Sequence, residues 1–340
     1  LGFPAHTGNV AGGQLATGVF RGSRVGATYL RMKAGFGQQE LASGFVDLDP
    51  LHMLGVKAVA LPTYFEYAQA DRSFGDWWRF SIAGDVPHAS YASTNLLAGP
   101  VTLTAEWKDY SQFRLGVNDP PSLVREHWQA LLNRSTHVLV ADREAGFQLE
   151  GTYTPSPWAA LTTNWSRADG QGGRRFEERY VDVRSAPAGR PWEATVFYDR
   201  SRDEVIAISS RHTLGGAVTV QAWRVWSATL DVERQTATRL GLPTGADFED
   251  VYLAGTIARA DVGSVAILWT RTTDPLDFSR VEPGQKPLHL VGGELDARLS
   301  AVHEATLFVG RRRGGLACTA GTCYEVQAFE GAELRLTSRF

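Results

Sequence analysis

Residues Phe329-Glu-Gly-Ala-Glu-Leu-Arg-Leu-Thr-Ser-Arg-Phe340 decide the fold class. Ala332, Leu334, Leu336, Ser338 and Phe340 fall on one face, and Glu333, Arg335, Thr337 and Arg339 on the other, because side chains change face at every residue of a strand. An apolar face, a charged face and an aromatic end describe the closing strand of an outer-membrane β-barrel, whose apolar residues meet lipid and whose polar residues meet a wet lumen. The last strand of a soluble β-sandwich or propeller would alternate in the same way. On the barrel reading, Phe340 is the expected recognition residue for outer-membrane insertion.

The totals fit that reading without forcing it. At 340 residues there is room for one large β domain or two smaller ones. Hydrophobic residues make up 43% and mean hydropathy is -0.20, which suits a barrel that shows only alternate residues to lipid. Nothing approaches the ~18 consecutive apolar residues of a transmembrane helix. A membrane form must therefore be a closed barrel, which leaves no backbone group unpaired in lipid. The formal charge of -3 gives no basic patch for nucleic acid. Ten Trp and ten Tyr suit interfacial belts or a carbohydrate surface. The chain starts without Met, a basic n-region or an apolar h-region, so it reads as a mature product or a fragment, with N-terminal strands open to question.

Working back from the last strand, Cys318 and Cys323 sit in a Gly-rich loop just before it. Two cysteines at this spacing cannot complete a structural zinc site. A small-loop disulfide is expected, implying an oxidising compartment; two unpaired thiols are the alternative. Further back, alternating runs are expected as strands at Gln14–Phe20, Arg24–Met32, Ala42–Asp49, Gly55–Leu61, Tyr64–Asp71, Asp76–Ala83 and Val101–Lys108. They resume around Phe147–Thr154, Trp158–Arg167 and Trp192–Asp199, then at Glu204–Thr213, Ala217–Ser227, Asp250–Ala260, Gly263–Thr272, Leu288–Ser300 and Val302–Arg311. Ala168–Arg175 reads as a Gly-rich tip extending into solvent. About 14 strands result, with no helix–strand alternation and no fixed-period repeat.

One segment breaks the β pattern. Asp119 can cap a helix, Pro120 is tolerated at its first position, and Leu123, Val124, His127, Trp128, Leu131 and Leu132 then make an i, i+3, i+4 stripe. A helical insertion over 119–134 is expected, as a plug in the barrel, a cap on its rim, or a dock for a protein partner. Arg125, Glu126, His127 and Trp128 are its candidate functional residues.

No nucleophile elbow, zinc-protease helix or P-loop is present, and the eight histidines lack ligand-like spacing. No enzyme activity, cofactor or metal is expected, and His127 reads as a packing or hydrogen-bonding residue. The polar strand positions Glu106, Lys108, Glu150, Glu193, Asp199, Glu294, Asp296, Arg298, Glu333, Arg335 and Arg339 are candidate pore-lining residues. A ladder of ion pairs filling a closed interior would use the same residues. Trp107, Tyr153, Trp158, Trp165, Trp192 and Tyr198 are candidate interfacial girdles, with a sugar-stacking slide as the other use.

The stretch 113–137, with Asp119-Pro-Pro, Arg125-Glu-His and Leu131-Leu-Asn-Arg134, resembles a family of uncharacterised bacterial outer-membrane barrel proteins. That resemblance implies a barrel in the outer membrane and brings no catalytic residue, substrate or cofactor. The whole chain is therefore expected to be a single antiparallel transmembrane β-barrel in the bacterial outer membrane. The expected function is a porin-like channel for small polar solutes; the alternative is a non-conducting scaffold anchoring a surface or periplasmic partner. Expected partners are outer-membrane lipid and the barrel-assembly machinery, a protein at the insertion, and no nucleic acid.

Overall fold

The computed structural model describes residues 9–34, 37–71, 86–113, 124–138, 143–241, 247–277, 279–280, 286–319 and 322–339. Its first eight strands are β1 (Asn9–Gly18), β2 (Arg24–Ala34), β3 (Gly37–Leu48), β4 (Thr63–Asp71), β5 (His88–Ala98), β6 (Val101–Ser111), β7 (Arg143–Ser156) and β8 (Ala159–Gly170). Then come β9 (Arg175–Ser185), β10 (Trp192–Asp203), β11 (Ile208–Ala222), β12 (Trp226–Arg239), β13 (Asp247–Arg259) and β14 (Gly263–Thr272). The last five are β15 (Leu288–Arg298), β16 (His303–Arg312), β17 (Gly315–Thr319), β18 (Thr322–Val326) and β19 (Phe329–Ser338). Two single-turn α-helices, α1 (Pro50–Met53) and α2 (Ala130–Asn133), and a 3-10 turn at Gln171–Gly173 complete the regular structure of the described residues.

Seventeen strands belong to one sheet, and β17–β18 is a separate hairpin. The described pairings are antiparallel and join chain neighbours from β1 to β6 and from β9 to β16, then β16 to β19. They do not close the sheet. The class is the expected one in being all-β and antiparallel, with 17 strands in the sheet where about 14 were expected. No described helix is long and apolar enough to cross a membrane, so any crossing falls to strands.

Individual elements depart from expectation for local reasons. Gly55–Leu61 is no strand. Asp49 accepts the His52 N–H at 3.0 Å and Pro50 sits at the first helical position, so one turn of helix forms there. Only an isolated bridge, Ala60 to Leu97, follows. Residues 168–175 are no solvent tip. β8 and β9 run through them to a tight turn, where Asp169 binds Arg167 at 3.0 Å and Arg175 at 2.7 Å. The two runs read on either side of Gly215-Gly216 are one strand, β11, while β5, β9 and β12 were passed over. The expected strand Asp76–Ala83 lies outside the described residues.

Two compact units divide the chain: residues 1–123, 139–152 and 165–175 in the first, residues 124–138, 153–164 and 176–340 in the second. In the first, Leu41, Ala68, Ala70, Ala89, Tyr110 and Phe113 form a buried cluster. Lys108 and Glu144 lie beside it as a fully buried ion pair. Along the same face the rings of Phe45, Tyr64 and Tyr91 follow one another at 6.0 and 6.1 Å. Tyr64 donates to Glu66 at 2.7 Å and Tyr91 to Glu106 at 2.5 Å.

In the second unit the two faces of the sheet are inverted relative to a water-soluble protein. On β12, Trp226, Ala228, Leu230 and Val232 are exposed and alternate with the less accessible Ser227, Thr229, Asp231 and Glu233. Leu214, Ile257, Ile267 and Leu334 are exposed, while Asp199, Arg211, Glu233 and Asp250 are buried. Leaving one Leu or Ile in water costs roughly 1.5–3 kcal/mol relative to burial, so a whole face of them requires another apolar medium. Past Val232 the exposed face turns polar: Glu249 binds Arg234 at 2.7 Å and Arg271 at 2.6 Å.

Candidate functional site

The site lies in the second unit, where residues 124–138 rest on the polar face of the sheet. The expected helix over 119–134 is not formed in the described part: residues 124–129 are non-helical and α2 is a single turn. Exposure there alternates, with His127 and Gln129 buried and Glu126 and Trp128 exposed. The stripe that suggested a helix needs an apolar partner, whereas the surface it meets is charged. Polar side chains turn inward instead.

Each anchor pairs a group of the segment with a strand. Arg125 approaches Asp182 at 3.5 Å and stacks over the Tyr180 ring at 4.7 Å. His127 Nε2 lies 3.1 Å from Glu178 Oε1, and Gln129 Nε2 donates to the Tyr180 hydroxyl at 2.6 Å. The backbone N–H groups of Ala130 and Leu131 donate to the two carboxylate oxygens of Glu233 at 2.7 and 2.8 Å. Gln129, at the N-cap, makes no side-chain cap, so β12 supplies the acceptors and the negative charge that a helix start requires. Arg211 donates to the Ser135 carbonyl at 3.0 Å, and His137 Nδ1 meets Asp203 at 2.8 Å while stacking on Phe176.

Beneath the segment, Arg211 Nε donates to Ser201 Oγ at 2.8 Å and Ser201 donates to Asp199 at the same distance. Arg211 also stands 3.8 Å from Asp199 and 4.0 Å from Glu178. One oxygen each of Glu178 and Asp199, Oε1 of Gln129 and Nδ1 of His127 are buried without a hydrogen-bond partner among the described residues. A protonated carboxyl or imidazole can serve such atoms, as can a polar solute. Ser201 has no imidazole base beside it among its described bonds, and His127 has no nucleophile. The described residues contain no group of three or more His, Cys, Asp or Glu able to hold a metal.

A second cluster anchors the end of the segment. Arg313, between β16 and β17, binds Asp250 at 3.0 Å and Asp277 at 2.6 Å. Burial pulls its guanidinium down, but the two carboxylates more than offset that and hold it above its ordinary value. Arg134 donates to the Gly314 carbonyl at 2.9 Å. Burial, together with the nearby Arg313 charge, lowers it to about 10.

The sequence-level candidates separate by position along the strands. Lys108 and Asp199 are fully buried; Glu106, Glu150, Glu294, Asp296 and Glu333 are half-buried. Asp296 accepts from Ser264 at 3.1 Å and from Thr306 at 2.6 Å, and Glu333 binds Arg312 at 3.0 Å and Arg335 at 2.8 Å. Glu193, Arg298 and Arg339 are exposed; Glu193 pairs with Arg184 at 2.9 Å. Trp107, Tyr153, Trp158, Trp165, Trp192 and Tyr198 are all exposed. Cys318 and Cys323 face each other in the β17–β18 register; a disulfide between them is not shown. Phe340 lies outside the described residues.

Glu178, Asp182, Asp203 and Glu233, the carboxylates that hold the segment, are absent from the sequence-level candidates. The period-two run Trp226–Val232 carries a signal for Glu233, the next polar position of β12.

No protein-family model matches the chain, and no curated protein matches it. Among solved structures it is similar to a bacterial polysaccharide outer-membrane secretin, at 12% identity and a TM-score of 0.38 over 89% of this chain and 91% of that one. It is also similar to the open form of the ferric-catecholate import receptor Fiu from E. coli K12, at 10% identity and a TM-score of 0.47. That match covers 97% of this chain and 61% of the receptor, so the chain spans under two thirds of the receptor's length. Neither likeness is close enough to carry an argument.

Proposed function

We propose that the chain is a bacterial outer-membrane β-barrel whose polar face encloses a porin-like passage for small polar solutes, narrowed by residues 124–138. The observation that carries this is the inversion of faces: exposed Leu, Val, Ile and Trp alternate with buried Asp, Glu and Arg along the same strands. Lipid is the medium that makes such a surface stable, and water or solute the medium that such an interior holds. Exposed Trp192 and Trp226 at the starts of β10 and β12 fit an interfacial girdle, and Tyr198, bonded to His212 at 2.8 Å, fits another further along. The resemblance of residues 113–137 to uncharacterised outer-membrane barrels agrees with this.

Opposed antiparallel residues have Cα atoms about 4.5–5.5 Å apart, within the span of a disulfide. The register of Cys318 with Cys323 therefore favours a bridge and an oxidising compartment. On this reading the protein is not an enzyme and uses no cofactor. Lipid surrounds it, and the barrel-assembly machinery inserts it by way of Phe340.

Purified protein in planar bilayers is expected to give discrete conductance steps. A protein that inserts but never conducts would overturn the channel. The scaffold reading would then gain, and one observation already favours it: a segment tied by many polar contacts to the face a channel needs open. On that reading a stoichiometric protein partner co-purifies.

A further inference from the structure

Beside the end of the inserted segment lies a cavity of about 270 Å³ in the second unit. At liquid packing it has room for a solute on the order of ten non-hydrogen atoms. Four arginines line it, Arg134, Arg311, Arg312 and Arg313, along with Glu294. Three of the four are already neutralised: Arg311 by Glu330 at 3.1 Å, Arg312 by Glu333 at 3.0 Å, and Arg313 by its two aspartates. Arg134 is different. Among the described residues it bonds to a carbonyl and to no carboxylate. Glu294 has no hydrogen-bond or ion-pair partner among the described residues either. A cation and an anion, neither of them in an ion pair among the described residues, thus line a single cavity without bridging each other.

We propose that this cavity binds a small zwitterion, an α-amino acid or short peptide, with its carboxylate on Arg134 and its ammonium on Glu294. A planar guanidinium matches a carboxylate with two parallel N–H donors, and a carboxylate accepts readily from an ammonium. A simple anion would use Arg134 but meet the repulsion of Glu294. A simple cation would meet the reverse. Trp128, Tyr252 and Phe308 line the same cavity and offer the solute's side chain an apolar and aromatic surface. The site deepens the proposed channel by naming its solute, and it rests on that reading only for access from bulk water.

Equilibrium titration of the detergent-solubilised protein tests the site without reading transport. The probes are phenylalanine, N-acetylphenylalanine and phenylalanine amide, followed by calorimetry or Trp fluorescence. Phenylalanine is expected to bind, and each blocked analogue to bind about tenfold or more weakly, because each leaves one charged partner unmatched. Arg134→Gln and Glu294→Gln are each expected to weaken phenylalanine by a similar factor, while Arg134→Lys, which retains the charge and the segment's anchor, weakens it less. Binding of N-acetylphenylalanine as tight as that of phenylalanine would overturn the proposal in favour of an anion site. Absence of binding by all three probes, or variants that bind like the wild type, would also overturn it. A protein that conducts but binds none of them sinks this proposal alone; one that binds but never conducts sinks the channel alone.

Discussion

The polar faces of the two units solve the same problem differently. In the first, charges are matched strand to strand: Lys108 of β6 with Glu144 of β7, Tyr91 of β5 with Glu106 of β6. In the second, Glu178, Asp182, Asp203 and Glu233 are matched by residues 125–137 of an inserted segment. A pair held between two strands is complete once those strands are in place. A wall that borrows its partners is complete only once the segment has docked, so its local stability belongs to the docking step.

The largest effect expected from this contrast is at Lys108. Replacing Lys108 with Ala takes the ammonium away from the buried Glu144 carboxylate, at a cost of about 3–5 kcal/mol, whereas Lys108→Met with Glu144→Leu is expected to be near neutral. Denaturant unfolding in detergent measures both. A single variant as stable as the double one would break the idea of a self-matched wall.

A smaller and more local effect is expected at Glu233. Glu233→Ala strands two backbone donors, costing about 2–4 kcal/mol, but the strands remain paired without the segment. Proteolysis within 124–138 is therefore expected to accelerate while global unfolding of the sheet changes little. Equal losses in both measurements would mean that the segment and the wall form a single cooperative unit.

The smallest effect provides a control away from both faces. Asp49, at the start of α1, is partly exposed, and its carboxyl is held below the ordinary 3.8, chiefly by the His52 backbone N–H. A carboxyl lowered by folding contributes stability that is present above its unfolded value and lost as pH falls through the folded one. An NMR titration is expected to place its midpoint below 3.8, and Asp49→Asn is expected to leave both walls unchanged.

Much of the sheet was legible in the sequence, because period-two alternation survives wherever a strand has two unlike faces, as in β6 and β19. It was lost where glycines interrupted the alternation, as at Gly215-Gly216 of β11. The inserted segment misled for a different reason. Leu123, Val124, His127, Trp128, Leu131 and Leu132 have helical spacing, but spacing reports only what a chain does against an apolar neighbour. The surface beneath this segment was charged, and that surface is built from β9, β10 and β12, whose contacting residues lie 51 to 103 residues further along the chain. Glu233 could be seen as a polar strand position; its role as a helix cap could not, because it acts across 102 residues on Leu131.

The glycines that obscured β11 have a use of their own. A methyl at Gly215 would stand 2.8 Å from the Phe197 ring, and one at Gly292 would stand 2.6 Å from the Phe308 ring. Each phenyl packs close to a neighbouring backbone that carries no side chain to push it away, so these large residues stay buried against the sheet. Alanine at either position would push a ring off the backbone it rests on. Two residues with no side chain thereby set how deeply two phenyl rings sink into the wall.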